Sequence, residues 1–212
     1  MMDESDFLCV RADLYELLAR LYTYPLDSSA VDAVTALRIE NAPAVLSDAL
    51  AVMQARIAAA TNRAAFVEAL NVEATRLFEG PGQPAAPPYA SFYLNDGRLM
   101  GDAALAARRA YLARNVRPRD DGRVPLDHLA LELGFMAHLA REEGARGLTD
   151  SAVFLRDHLL TWVPRWSTAV VAASAHPFFV GLANLTRAML ESDAQWLETC
   201  ESAHADETEV VR

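Results

Sequence analysis

Asp127, His128 and Glu132 are the residues whose types and spacing come nearest to chemistry, and they lie in VPLDHLALELGFMAHL from Val124 to Leu139. An adjacent carboxylate and imidazole are the usual halves of a general acid–base pair. Such a pair hydrolyses nothing alone: it needs a nucleophile or a metal-bound water, and the chain offers no motif for either. His128 and Glu132 are spaced i, i+4, which suits two metal ligands on a helix, but a zinc site needs a third ligand and none lies nearby in sequence. A structural reading places Asp127 at the N-cap or first turn of a helix, where the dipole favours a carboxylate, and sets His128 one turn from Glu132. A binding reading lines a peptide groove with the same polar groups, which would meet main-chain or arginine donors.

Other catalytic constellations are missing from the sequence. It contains no GxSxG elbow, HExxH, GxGxxG or Walker A, and Gly80-Pro81-Gly82 lacks the preceding strand and following helix of a phosphate loop. The Glu-x-x-His spacing occurs only at Glu201 and His204, in an acidic tail, whereas a di-metal bundle needs two such pairs on core helices. All 19 basic residues are Arg, so lysine-based nucleophiles and bases are excluded. Cys9 and Cys200 stand near opposite ends and form no CxxC, which predicts a reduced, intracellular chain with no metal and no disulfide. No resident cofactor is expected.

The balance of 29 acidic against 19 basic residues, a formal net charge of -10, disfavours nucleic acid or an anionic membrane as partner and suits a cationic one. The N-terminus MMDESDFL is acidic, without the positive region of a secretory signal. The apolar run Ala169 to Leu185 is interrupted by His176, Pro177 and Asn184, so no stable membrane insertion is expected.

The elements that must position these residues are helices. Phe7, Val10, Leu14, Leu17 and Leu21 share one face of a first helix that the Tyr24-Pro25 step ends. A second is predicted from Ser29 to Ile39. A third starts at Pro43 with the stripe Leu46, Leu50, Met53 and Ile57, and a fourth is capped by Asn62 and carries Phe66, Leu70 and Leu77. Glu79 to Ala90 holds too many Gly and Pro for anything but a loop. Further helices are predicted from Asp102 to Asn115, from Pro125 or Asp127, from Asp150 or Ser151 to Trp162, from Pro164, and from Pro177 to about Cys200, with a frayed acidic tail beyond. With 212 residues, 52% of them hydrophobic, the expectation is one all-α domain, a globular bundle of about nine helices. Within it, residues 1–115 form a helical N-terminal region, 116–124 a linker, 125–200 a C-terminal region and 201–212 the tail.

Two segments carry a family resemblance. LFEGPGQPAAPPYASFYL, Leu77 to Leu94, has a Leu-Phe helix end, Gly80-Pro81, Pro88-Tyr89, and Ser91 with Tyr93; Pro125, Asp127, His128, Glu132 and Phe135-Met136 form the second set. With FLRDHLLTWVPRW, Phe154 to Trp166, and the later FFVGLANLT in the same order, the chain resembles the TorD/DmsD chaperones. The resemblance implies a non-enzymatic cytoplasmic chaperone whose partners are the twin-arginine leader peptide and catalytic subunit of a molybdenum oxidoreductase. It would assist cofactor insertion and delay export. Weak binding of a guanine nucleotide or the molybdenum cofactor is a second reading, and a small hydrolase using Asp127 and His128 is a third. The implied peptide-binding residues are Phe78, Gly80, Pro81, Pro88, Tyr89, Ser91, Tyr93, Pro125, Leu126, Asp127, His128 and Glu132. Tyr89, Asp127 and His128 are the preferred contacts, and Phe78 and Phe135 are expected in the core. Glu79, Asp127 and Glu132 are candidate rim acids, with Tyr89, Phe92, Tyr93 and Leu126 as groove residues. Val124 stands where the family usually has Glu, which removes one acidic contact for the leader's arginines.

Overall fold

The periodic apolar stripes become helices stacked on their buried faces. The structure, a computed structural model, describes residues 4–39, 42–80, 82–118, 124–142 and 145–210, without the side chains of 4–9, 145–146 and 203–210. Pro81, most of the 116–124 linker and the side chains of Phe7 and Cys9 thus lie outside the described residues. In chain order the helices are α1 (Glu4–Leu21), α2 (Ser28–Ala36), α3 (Ala44–Ala58), α4 (Arg63–Ala74), α5 (Ala90–Leu94), α6 (Asp102–Ala113), α7 (Leu129–Arg141), α8 (Ala145–Phe154), α9 (Leu160–Ala173) and α10 (Pro177–Val210). A π turn, Thr75–Glu79, prolongs α4, and another, Leu155–Leu159, joins α8 to α9. Among the described residues this makes nine continuous helical stretches and no β-sheet, as the periodicity predicts.

Local chemistry sets the ends. Asn62 Oδ1 accepts from the Ala65 amide at 3.1 Å and caps α4, and Asp27 Oδ1 does the same for α2 through Ala30 at 2.8 Å. Asn62→Ala is expected to lower stability by about 1 kcal/mol in a urea titration. Leu46, Leu50, Met53 and Ile57 of α3 are all buried, as are Leu14, Leu17 and Leu21 of α1; Val10, predicted on the same face, is exposed.

Several boundaries differ from the expectations. The helix expected to be capped and begun by Asp102 does begin there, as α6, but its cap residue is Gly101 and it ends at Ala113. The second helix stops at Ala36, α7 begins only at Leu129, α8 begins at Ala145, and α10 runs past Cys200 to Val210 instead of fraying at Glu201. Pro164 does not start a helix; α9 runs through it, just after the π turn whose wider hydrogen-bond ring already loosens the ladder.

The closest helix partners are α1 with α7 and α3 with α10. At the second crossing a Cβ on Gly181 would lie 2.7 Å from Met53 Cγ and 3.0 Å from the Ala49 carbonyl, so glycine permits the approach. A buried ion pair also staples α1 to α10: Arg11 Nε and Nη2 donate to Asp193 at 2.5 and 2.9 Å, and Tyr15 Oη donates to the same carboxylate at 2.6 Å. Among the described residues no helix is long and apolar enough to cross a membrane.

Candidate functional site

The first segment is built around the π turn at the end of α4. The extra residue in that turn lets the adjacent Leu77 and Phe78 both point inward. Phe78 is a core residue, as expected, stacked on Tyr24 and Trp166 and edge-on to Tyr22 and Phe179. Gly80 closes the turn by donating to the Thr75 carbonyl. The loop is then pinned on both sides: Ala86 N–H donates to the Leu77 carbonyl at 2.7 Å, and Trp166 Nε1–H donates to the Ala86 carbonyl at 3.3 Å. Pro87 and Pro88 are buried at its end.

There the second segment meets the first. Tyr89 and His128 form an isolated antiparallel bridge; Leu129 N–H donates to the Pro88 carbonyl at 2.9 Å, and Ala90 N–H to the Asp127 carbonyl at 3.0 Å. The aromatic run then coils into the one-turn helix α5, whose Ser91 amide donates to Asp127 Oδ2 at 2.7 Å. Asp127 therefore caps a helix other than its own. The cap of α7 is His128, whose Nδ1 accepts from the Ala130 amide at 3.1 Å. Accepting there requires an unprotonated Nδ1, and burial pushes the imidazole down to about 4 despite the opposing pull of Asp127. The Tyr89 and His128 rings meet edge to face at 5.0 Å, and Tyr111 Oη ties the approach by donating to the Leu126 carbonyl at 2.9 Å.

Behind the junction lies a buried polar pair. Glu132, expected at a rim or opposite His128, is fully buried, takes His158 Nε2 at 2.6 Å and accepts from Trp162 Nε1 at 3.2 Å. Burial raises its pKa above the usual carboxylate range, outweighing the pull of His158. On His158 burial opposes the charge, but Glu132 outweighs it and the imidazole holds its proton above its ordinary range. Trp162 stacks on Tyr93 of α5 at 5.8 Å, and Arg165 Nη1 donates to the Tyr93 carbonyl at 2.6 Å.

Pro88, Tyr89, Ser91, Leu126, Asp127 and His128 thus converge, with Tyr93 on the same one-turn helix and Pro125 behind the turn, its carbonyl accepting from the His128 amide at 3.0 Å. Phe78 instead packs in the core and Gly80 closes the π turn before the loop, although the charge of the neighbouring Glu79 reaches Tyr89. Of the three candidate rim acids only Glu79 is exposed; Asp127 and Glu132 are inside. Tyr89, Phe92, Tyr93, Leu126 and His128 are half-buried. Two junction atoms, Asp127 Oδ1 and Tyr93 Oη, have no hydrogen-bond partner. The acid–base pair imagined for a hydrolase is not assembled, since each member is bonded to a backbone amide instead. Among the described residues no cluster of three or more His, Cys, Asp or Glu could hold a metal.

Sequence reasoning missed His158, Trp162 and Tyr111. A signal was present: Phe154, His158, Trp162 and Trp166 recur at steps of four, an aromatic stripe that a lone titratable residue interrupts.

The nitrate reductase delta subunit family matches residues 40–168 of the chain. The chaperone protein TorD of Vibrio cholerae serotype O1 is 32% identical over 130 residues, covering 58% of this chain; the chain spans only 59% of that relative's length. TorD of Shewanella piezotolerans is 26% identical over 201 residues, covering 88% of this chain and 92% of the relative. In fold the chain resembles a crystal structure assigned as a redox enzyme maturation protein from Archaeoglobus fulgidus, with a TM-score of 0.53, 20% identity, and coverage of 88% and 93% of the two chains.

Proposed function

The chain belongs to the nitrate reductase delta subunit family, which here takes in the TorD chaperones, and from that premise we propose that it is a non-enzymatic chaperone for a molybdenum oxidoreductase. It binds the twin-arginine leader of the catalytic subunit in the cytoplasm and holds the subunit back from export until its cofactor is in place. The observation that carries this reading is the convergence of the two signature segments on the Tyr89–His128 bridge. A leader pairs a cationic stretch with an apolar one. At the junction the half-buried Tyr89, Phe92, Tyr93 and Leu126 suit the apolar stretch; the unpartnered Asp127 Oδ1 and Tyr93 Oη, both buried in this structure, suit its backbone and arginine groups once α5 moves aside to admit them.

Tyr89→Ala is expected to weaken leader binding by about 1–3 kcal/mol in a calorimetric titration, with helical content retained, because its side chain is only half-buried. His128→Ala should weaken binding too, and should also lower stability by about 1 kcal/mol because it removes the cap of α7. Asp127→Ala should weaken folding as well, since it removes the acceptor of the Ser91 amide. Asp127→Asn keeps an acceptor there and removes the charge, so its loss should fall on binding. Unaltered leader affinity in all of these variants would defeat the assignment of the site.

A further inference from the structure

Three buried titratable groups run from the junction inward, close enough for their charges to act on one another: Asp127, Glu132 and His158. Two are carboxylates and one is an imidazole. Asp127 faces α5 through the Ser91 amide, and Glu132 reaches α5 through Trp162 and Tyr93. His158 sits inside the π turn between α8 and α9, bonded to Glu132 and stacked on Phe154 of α8 at 4.9 Å.

Each neighbouring element adds little further charge to this group: on α1, which packs along α7, Arg11 is held by Asp193, and Asp13 and Glu16 pair with Arg141. Tyr111 of α6 feels both carboxylates, but as a neutral phenol. Asp150 of α8 is paired with Arg114. Arg156 and Asp157 of the π turn are exposed and pair with each other at 3.0 Å, and Glu198 and Glu201 of α10 act on Arg156. Arg165 of α9 is directed to the Tyr93 carbonyl. His128 is neutral above about pH 4. A protonated His158 is therefore the cation bonded into this group among the described residues. Buried carboxylates without a cation are strongly unfavourable. When the proton leaves, water must come to the carboxylates, and the half-covered end of the group is the junction, where a one-turn helix hangs on Asp127.

We infer that His158 and Glu132 form a proton-operated latch beneath the junction, closed while the imidazole is protonated and loosened, with α5 released and Asp127 hydrated, when the proton is lost. On the peptide-binding reading above, the latch regulates access to that site; its test needs no ligand. The closed state holds the proton more tightly than the open one. Its stabilisation is full below the ordinary imidazole value of 6.5 and is lost as pH rises through the elevated value.

The experiment is hydrogen exchange of the Ala90 and Ser91 amides in the full chain from pH 6.5 to 8.5, corrected for intrinsic base catalysis, a window in which His128 is already neutral. Protection of these two amides should fall about tenfold across it, the equivalent of one pKa unit, while the α3 amides around Met53 hold theirs. His158→Gln keeps a neutral donor to Glu132 and should flatten the fall, and Glu132→Gln should flatten it too. A merely structural His158 would shift protection equally at every pH, so an unchanged slope in His158→Gln overturns the latch. A parallel fall in α3 overturns it also. If neither variant folds, the ring titration of His158 in the unaltered chain decides, and an ordinary imidazole value there ends the proposal. A working latch in a chain that binds no leader would leave this inference standing and defeat the functional reading.

Discussion

Arg11→Met is expected to lower the stability of the fold by about 3–5 kcal/mol in urea denaturation, among the largest effects of any single change, because it strands a buried carboxylate. Arg11 and Asp193 each have only 1% of their side chain exposed, and the pair joins α1 to α10 across most of the sequence. The guanidinium also packs over the rings of Tyr15 and Trp196, each 5.6 Å from its centroid. Removing the cation leaves the buried Asp193 carboxylate with the Tyr15 hydroxyl but without its counter-charge. The double variant Arg11→Met, Asp193→Leu should recover most of the loss, since an apolar pair of similar volume often replaces a buried ion pair without penalty. A single variant as stable as the unaltered chain would mean that water reaches the pair.

Trp166→Ala is expected to cost a similar 3–5 kcal/mol and to loosen the loop between Phe78 and Tyr89. Trp166 is fully buried among Phe78, Tyr22 and Trp162. It also holds that loop by donating to the Ala86 carbonyl. Deleting it opens a cavity and frees a backbone acceptor, so limited proteolysis should find the loop before any other described segment. Trp166→Phe keeps most of the ring and loses the donor. It should cost about 1–3 kcal/mol, the penalty of an unsatisfied buried carbonyl. Leu133→Ala, in the fully buried stripe of α7, should cost about 2–5 kcal/mol with the loop intact.

What was legible in the sequence was local. The stripe of α3, its start one residue after Pro43 and the cap at Asn62 concern residues within a turn of one another, and they appear close to where the sequence places them. The π turns were not legible, because the phase slip that one extra residue introduces, seen in the adjacent Leu77 and Phe78 that both turn inward, reads in sequence as the ragged end of an ordinary amphipathic helix. Pro164 misled for a related reason: proline marks a helix start by default, and the tolerance created by the turn upstream is invisible in the letters. The resemblance singled out both signature segments, but their pairing depends on contacts such as that of Asp127 with Ser91, 36 residues apart. Spacing set Glu132 opposite His128; in the structure His128 turns back to cap its own helix and Glu132 pairs with His158, 26 residues on. An acid near a helix start reads as a cap, but which helix it caps is decided by the tertiary fold.

The chaperone reading rests on recognition of a leader by its order of residues, with the apolar half dominant. Burying one Leu-sized side chain is worth about 1.5–3 kcal/mol, against about 0–1 kcal/mol for an exposed ion pair. Neutralising the arginine pair should therefore weaken binding modestly and reduce its salt dependence, whereas a polar residue in the apolar stretch should weaken it more with the salt dependence kept. The most direct measurement is a calorimetric titration, at two salt concentrations, of a molybdoenzyme leader peptide and a scrambled peptide of equal composition. The account predicts that the native leader binds at least about tenfold more tightly, a difference of roughly 1.4 kcal/mol; equal affinity of the two peptides would contradict it.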